Sequence, residues 1–424
     1  MDGTIIEIAI TIFILLMLIA QLISIKLRVP YTLVLVLMGI VTTALSVLIL
    51  GKYSIFGILQ NSVQEIQLIY DQLVNTGLFV GLVVPPLIFE AMIHVKRKEL
   101  KEVLKSALIL ATLGVLVSVA VISIVVWKLS GLPLMVALLF AIIISPTDTI
   151  TVLEVFRRIN APAQLSALMD VEAAFNDATA IVLFSIVISS IGIGQTSLFG
   201  GIETFVYDFI GGIIIGISVA FVAGLVHSAL DDKIAETTLT IAAVYGSYVL
   251  ATGLGASGLI AVAIVGLYFG NSTMDLSLSK EVRLSIISFW EIAAFVGNAI
   301  AFMLIGFDTN LRAFFKVGYT ILIAYVATVI ARAAAVYPTF NILNRFKRKI
   351  PRIWENIAVL GGVRGALSIA LLATLTSSGV VSQSEMEVVA AMVLGVVFIS
   401  IMVQVPMLSS YAKKRFAKTI HIAK

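Results

Sequence analysis

The sequence predicts an all-α polytopic membrane protein, on the basis of its composition and its recurring apolar runs. Of the 424 residues, 60% are hydrophobic and 12% are charged, and the mean hydropathy is +1.12. Soluble domains carry about 25% charged residues, so this composition excludes an ordinary soluble domain. Apolar runs of about 20 residues, the length a helix needs to cross a bilayer, recur along the whole chain.

A hydropathy window of about 20 residues divides the chain into thirteen spans. They cover 4–24, 31–50, 74–94, 104–128, 132–157, 163–191, 201–228, 236–253, 256–270, 284–306, 313–340, 353–378 and 386–409. No low-complexity linker separates them, so residues 1–424 are expected to form a single membrane domain with a short basic tail at 410–424. The first run follows an acidic N-terminus and is expected to be a retained helix.

The distribution of basic residues predicts the orientation, because Lys and Arg accumulate in cytoplasmic loops. Most of the 28 basic residues fall in alternate loops, including the clusters at 96–105, 345–352 and 413–418. The N-terminus is therefore expected outside the cell membrane and the C-terminus in the cytoplasm. The net charge of +4 is then explained by topology and gives no reason to expect nucleic-acid binding. The basic tail is expected to meet anionic lipid headgroups.

Residue types that usually mark metalloenzymes are scarce. Cysteine is absent, which excludes disulfides, thiolate metal sites and cysteine nucleophiles. The three histidines, His94, His227 and His421, are too scattered in the sequence to form a ligand cluster. The sequence therefore indicates neither an enzyme nor a bound cofactor. His94 and His227 fit solvated interface residues or pH sensors, and Glu90 and Glu291 fit helix-end ion pairs or transport residues.

The sixth span concentrates polar groups inside the membrane. Asp170, Glu172 and Asp177 lie within a few residues of one another, and apolar sequence continues beyond them. An ionised group at the bilayer centre costs about 2.5–3.5 kcal/mol on insertion scales, so these acids are candidates for an ion or proton path. Glu172 and Asp177 lie about 140° apart around a helix and therefore need different partners. Asp170 lies on nearly the same face as Asp177, where it could line an access funnel.

Two basic residues, Arg332 and Arg364, fall within predicted spans. A buried carboxylate needs a counter-charge to remain ionised, so we expect Glu172 and Arg364 to form a structural ion pair. This pairing leaves Asp177 free to bind a cation. Arg332 fits a packing role as well as a transport role.

Helix breakers lie near the centres of the fifth and twelfth spans. Pro146 removes a backbone donor from the fifth, and three glycines within Gly361–Gly365 loosen the twelfth. Both helices are predicted to be discontinuous and to cross at the midplane, where Asp148 would offset the positive half-helix ends and Arg364 the negative ones. Because the two spans are seven apart, they run in opposite senses and predict an inverted repeat of spans 1–6 and 8–13. The alternative, two merely kinked helices, leaves the charges unexplained.

Several segments, in this order, resemble the monovalent cation/proton antiporter family, in its prokaryotic-type sodium/proton exchanger branch. The resemblance covers nearly the whole chain and rests on Pro85–Glu90, Thr147–Asp148, Glu172 with Asn176–Asp177, Ser257–Gly266, Phe289–Glu291 with Asn298, Ile305–Gly306 and Gly361–Ser368.

The resemblance implies a transport domain that works as a homodimer, exchanges Na+ for H+ by alternating access, needs no cofactor and serves pH homeostasis. It implies that cation and proton compete for Asp177, that Asp148 helps to bind Na+, and that Asn176 lies beside them. Thr147 would contribute an oxygen. An Asn-Asp pair such as Asn176–Asp177 is associated in this family with electroneutral exchange.

Two departures from the family pattern concern the ion preference. Thr149 stands where the family often has proline, and Ala173 stands where it often has serine. Loss of a serine oxygen could weaken Na+ coordination or relax selectivity toward K+. The exchanged cation could also be Li+. A K+/H+ antiporter of the same fold, a gated cation channel and a transporter of anionic or organic substrates are the alternatives, although no filter-like repeat occurs and buried acids suit cations.

Overall fold

The computed structural model describes residues 3–27, 29–48, 78–159, 161–193, 198–227, 232–273, 279–308, 317–345 and 350–422, and their regular secondary structure is entirely helical. The α-helices are α1 Gly3–Leu27, α2 Tyr31–Leu48, α3 Leu78–Ile93, α4 Arg97–Ile109, α5 Val115–Ser130, α6 Leu134–Ile144, α7 Thr149–Ile159, α8 Ala163–Ile193, α9 Leu198–His227, α10 Lys233–Gly253, α11 Gly258–Tyr268, α12 Lys280–Asp308, α13 Gly318–Arg345, α14 Arg352–Leu360, α15 Ala366–Ser378, α16 Gln383–Ile399 and α17 Val405–Ile422. The predicted all-α class is confirmed.

Eight helices of the described part are long and apolar enough to cross a membrane. They are Ile10–Leu27, Arg97–Ser130, Ala163–Ile191, Gly200–His227, Lys233–Gly253, Lys280–Met303, Gly318–Arg345 and Gln383–Phe416. Two of them contain a π-helical turn, Leu110–Gly114 or Ser400–Gln404, which joins two α-helices end to end. Shorter apolar helices of 10–17 residues accompany them in the described part, among them one half of each broken helix, Leu134–Ile144 and Ala366–Ser378.

Two helix ends differ most from the expected boundaries. The fourth span was expected to begin at 104, but α4 begins at Arg97, because its first turns are amphipathic and bury Val103, Ser106 and Ala107. The last span was expected to end at 409, but α17 continues to Ile422. The tail expected to be a separate basic segment is therefore helical as far as the structure describes it. In both places a helix extends beyond the apolar stretch that a hydropathy window detects.

Both predicted helix breaks are present. The helix α6 ends at Ile144 and α7 begins at Thr149, with Pro146 between them. The helix α14 ends at Leu360 and α15 begins at Ala366. Proline lacks the donor that would continue the first helix, and the three glycines of the second segment lose more conformational entropy in a helix than other residues do.

The helices pack in two groups that meet at the breaks. In the first, α2 and α3 pack against α12, while α11 packs against α3, α9 and α10. In the second, α4 packs against α8, α5 against α6 and α13, and α13 against α14 and α16. Helix α9 approaches α11 closely through Gly216, where a Cβ would lie 2.7 Å from the Ala261 carbonyl oxygen. The groups meet where α3, α11 and α12 contact α8 and α15.

Candidate functional site

The two helix breaks contact each other through backbone and side-chain hydrogen bonds. The Asp148 amide donates to the Val363 carbonyl at 2.7 Å. Arg364 Nη1 donates to the carbonyl oxygens of Ser145 and Pro146. Irregular backbone at membrane depth is tolerated where protein groups satisfy it, and the crossing supplies those groups.

Arg364 lies at the carboxyl end of α6, where it is fully buried. The last carbonyls of a helix carry a partial negative charge and lack intrahelical partners, so a guanidinium at this point satisfies them. The Arg364 amide also donates to Ser400 Oγ at 3.2 Å. This placement agrees with the expectation that Arg364 offsets a negative half-helix end.

Asp148 lies at two positive helix ends. It immediately precedes α7, and its Oδ2 accepts a hydrogen bond from Thr151 Oγ1 at 2.7 Å. It also packs against Gly365, the residue that precedes α15, where a Cβ would lie 2.8 Å from Asp148 Cγ. A carboxylate beside two helix N-termini is stabilised by both dipoles, which agrees with the expected role of Asp148.

The expected ion pair between Glu172 and Arg364 is wrong, because Glu172 pairs with Arg332. Arg332 Nη1 lies 2.8 Å from Glu172 Oε1, and Nη2 lies 2.8 Å from Oε2. The Arg332 Nε–H donates to the Ala358 carbonyl at 3.0 Å. The sequence places both arginines near one depth, but Arg332, on α13, presents its guanidinium to Glu172 in a bidentate geometry. Arg364 is held instead by the carbonyls of the broken helix.

Asn176 connects this ion pair to the fifth-span break. Its Nδ2 donates to Glu172 Oε1 at 2.9 Å, one helical turn away, and to Thr147 Oγ1 at 2.8 Å. Thr147, Asn176 and Glu172 are all buried. These hydrogen bonds hold Thr147 and Asn176 together beside the Glu172 carboxylate, so two of the predicted site residues are in direct contact.

Asp177 faces a small cavity on another side of α8. The cavity has a volume of about 50 Å³, enough for a few water molecules or a partly hydrated ion. Its polar lining consists of Thr147, Asp148, Asp170, Asp177, Asn298 and Ser368. No residue in the described part of the chain makes a hydrogen bond or an ion pair with the Asp177 carboxylate. Glu172 is thus held by Arg332 and Asn176 while Asp177 faces the cavity, and these different surroundings agree with their angular separation.

Asp170 lies between this cavity and a larger one. The larger cavity, of about 640 Å³, is lined by Asp170 together with Glu90, His94, Arg157 and Glu291. Asp170 therefore borders both cavities, and its role in an access funnel stays a prediction.

Asn298 was not assigned to the site from the sequence. It lines the small cavity and also a third cavity of about 540 Å³, and its Oδ1 is buried with no hydrogen-bond partner among the described residues. The available signal was an amide in the apolar stretch 292–306 of α12. Nothing in the sequence shows, however, that α12 would reach the crossing of two distant helices.

The family profile described as sodium/hydrogen exchanger, transmembrane, matches residues 12–414. The chain belongs to the sodium/hydrogen exchanger family. The exchanger is therefore a multi-pass membrane protein of a transporter family, in agreement with the resemblance of its motifs.

Individual relatives are antiporters from several organisms. The exchanger is 34% identical to the Na+/H+ antiporter ApNhaP of Aphanothece halophytica, over 78% of this chain and 64% of the relative. It is 30% identical to the Na+/H+ antiporter NhaP of Pseudomonas aeruginosa, over 86% of this chain and 88% of the relative. The matched region thus spans a little under two-thirds of the Aphanothece protein and most of the Pseudomonas protein.

The fold also matches a solved structure. The sodium proton antiporter MjNhaP1 from Methanocaldococcus jannaschii superposes on the exchanger with a TM-score of 0.75, covering 97% of this chain and 98% of that one, at 21% identity. At this identity the likeness concerns the fold. The exchanger's helices and its two breaks therefore belong to a known architecture.

Proposed function

We propose that this exchanger is a secondary active antiporter that moves Na+ across the cell membrane in exchange for H+. The observation that carries the proposal is the Asp177 carboxylate, which faces a cavity of about 50 Å³ and has no hydrogen-bond or ion-pair partner among the described residues. The Na+/H+ antiporters of Aphanothece and Pseudomonas, which match 78% and 86% of this chain, support the proposal.

The site has the donor set of a hard cation. Na+ prefers oxygen ligands, and Asp177 and Asp148 offer carboxylates while Thr147 and Ser368 offer hydroxyl oxygens at the same cavity. Ser368 Oγ is buried with no hydrogen-bond partner among the described residues. An ion in the cavity would supply an electrostatic partner for these oxygens.

Cation and proton compete because they neutralise the same carboxylate. An empty, ionised Asp177 leaves an uncompensated charge in the membrane, which opposes movement of the site across the bilayer. A bound Na+ or a proton removes that charge, so only the occupied site exchanges between the two sides.

Electroneutral exchange follows from the fixed neighbours of Asp177. Asn176 is neutral and is held between Thr147 and Glu172. Glu172 is held in a bidentate pair with Arg332, so it does not offer a second exchangeable charge. One Na+ would then replace one H+ at Asp177.

The architecture that we propose for transport extends the observed fold. Thirteen crossings, with the N-terminus outside and the C-terminus in the cytoplasm, place the basic clusters on the cytoplasmic side. The breaks after α6 and after α14 fit an inverted repeat, in which one helix group rocks against the other to give alternating access. We also propose a homodimer in the cell membrane, as the family resemblance implies, with pH homeostasis as its physiological role.

The proposed Na+/H+ antiporter and a K+/H+ antiporter of the same fold differ in ion preference. Ala173 lines the cavity with a methyl group and supplies no oxygen there. A K+/H+ antiporter is therefore the second candidate, and exchange measured with Li+, Na+ and K+ in proteoliposomes separates the two.

The test of the proposal is cation-driven proton movement in proteoliposomes, with and without an imposed membrane potential. We expect that an inward Na+ gradient drives H+ out at a rate independent of the potential. A flux that scales with the potential would contradict one-for-one exchange. A conductance without proton movement would indicate a channel and would overturn antiport altogether.

A further inference from the structure

The 640 Å³ cavity, which we call the vestibule, contains a cluster that the proposed exchange reaction does not use. Glu90 and His94 lie one helical turn apart at the end of α3, and Glu291 reaches the same place from α12. One donor atom from each of the three side chains lies within 4.8 Å of the other two. Glu90 is buried, while His94 and Glu291 are open to the vestibule.

We propose that Glu90, His94 and Glu291 form a binding site for a divalent transition metal ion of the Zn2+ type. His94 Nε2 lies 3.4 Å from Glu90 Oε1. Two ligands each about 2.1 Å from a tetrahedral Zn2+ ion are about 3.4 Å apart, so these atoms already have the separation of two ligands. A rotation of the exposed Glu291 side chain would bring in the third ligand and leave the fourth position to water.

A second observation points to a ligand in the vestibule. Asp170 lines it, and the Asp170 side chain is buried, with 5% of its surface exposed. Its Oδ1 has no hydrogen-bond partner among the described residues. A water molecule on the metal would provide the donor that this oxygen lacks.

In the structure, the Arg157 side chain contacts one of the three proposed ligands, Glu90. Arg157 Nη2 lies 3.3 Å from Glu90 Oε1, and the Arg157 side chain is 64% exposed. Lys96 also lines the vestibule, and its Nζ donates to the Gly270 carbonyl at 3.3 Å. A divalent ion would compete with Arg157 for Glu90, and the exposed arginine can turn toward solvent. Removal of Arg157 should therefore strengthen metal binding.

The site has a consequence for transport, which rests on the proposed antiport. The vestibule and the small cavity share Asp170, so an ion in the vestibule stands next to the path to Asp177. Glu90 and Glu291 belong to the first helix group and Asp170 to the second, while Arg157 lies on α7, which packs against α8 of the second group. A metal that replaces the Glu90–Arg157 contact would slow exchange by blocking access and by changing the contact between the groups.

The test is calorimetric binding of Zn2+ to the full-length protein in detergent, with Mg2+ as the comparison ion. We expect one Zn2+ site per chain and much weaker Mg2+ binding, because imidazole favours Zn2+. His94→Gln and Glu291→Gln should each weaken Zn2+ binding at least about tenfold, since even a ligand's supporting residue contributes that much. His421→Gln is the matched control and should bind Zn2+ as the wild type does. Arg157→Gln should bind more tightly.

Binding and transport are measured separately, so failure of one is distinguishable from failure of the other. Unchanged Zn2+ affinity in both His94→Gln and Glu291→Gln, at unchanged melting temperature, would overturn the proposed site. So would an affinity that falls only in His227→Gln, because the ion would then lie at the buried His227–Glu236 pair. If Zn2+ binds with the expected variant pattern but does not slow Na+/H+ exchange in proteoliposomes, the proposed binding site is supported and only its effect on exchange is refuted.

Discussion

Replacement of Arg332 by glutamine should cost the exchanger about 3 kcal/mol of folding free energy. The Arg332–Glu172 pair is bidentate at 2.8 Å, and the two side chains are only 6% and 1% exposed. Loss of one partner of such a buried pair costs about 3–5 kcal/mol, because the other charge is left uncompensated. The Asn176 Nδ2 donor to Glu172 remains in place, which puts the expected loss at the lower end of that range.

A double-mutant cycle separates this pair from the pairing that the sequence suggested. The free energy of unfolding is measured by denaturation in mixed micelles, followed through the fluorescence of the three tryptophans. Arg332→Gln and Glu172→Gln should show a coupling of about 1–3 kcal/mol. Arg364→Gln is the control, since Arg364 bonds to Ser145 and Pro146, and its coupling to Glu172→Gln should be smaller. A stronger coupling with Arg364 than with Arg332 would refute the reasoning.

Two further substitutions test the crossing and the polar network. Gly365→Ala should destabilise the protein by about 1–3 kcal/mol and reduce exchange, because its Cβ would lie 2.8 Å from Asp148 Cγ. Gly246→Ala, with open space around it inside α10, should leave exchange unchanged and the melting temperature at or slightly above the wild-type value, because alanine is the better helix former. Equal effects of the two glycine changes on melting and exchange would argue against close packing at the crossing. Thr147→Val removes the acceptor for Asn176 Nδ2 and should lower exchange several-fold, and Thr147→Ser should restore it. Failure of the serine to restore exchange would mean that the hydroxyl has no part in the site.

Local chemistry was enough to predict the two helix breaks and the different surroundings of Glu172 and Asp177. Proline at 146 and the glycines near 361 act on their own backbone, so their effect can be derived without knowing any neighbour. Glu172 and Asp177 are five residues apart on one helix, and helical geometry alone sends them to different surroundings.

Choices between distant partners could not be predicted in the same way. Arg332 and Arg364 lie in different helices at a similar expected depth, and only packing shows which guanidinium faces Glu172 and which faces the α6 carbonyls. Asn298 lines two cavities only because α12 packs beside the point where the two broken helices cross. These contacts join residues far apart in the chain, for which spacing carries no information.

The central claim is that Asp177 carries the exchanged ion, and Asp177→Asn tests it most directly. Asparagine nearly keeps the shape of aspartate but cannot exchange a proton in the pH range of about 5–9. We expect Na+-dependent proton movement in proteoliposomes to be abolished at every pH, while insertion and melting temperature remain at least at the wild-type level. Asp208→Asn, a matched change on α9 away from the cavity, should exchange as the wild type does. Wild-type exchange in Asp177→Asn at any pH in this range would contradict the account and would direct the search to Asp148 and Asp170.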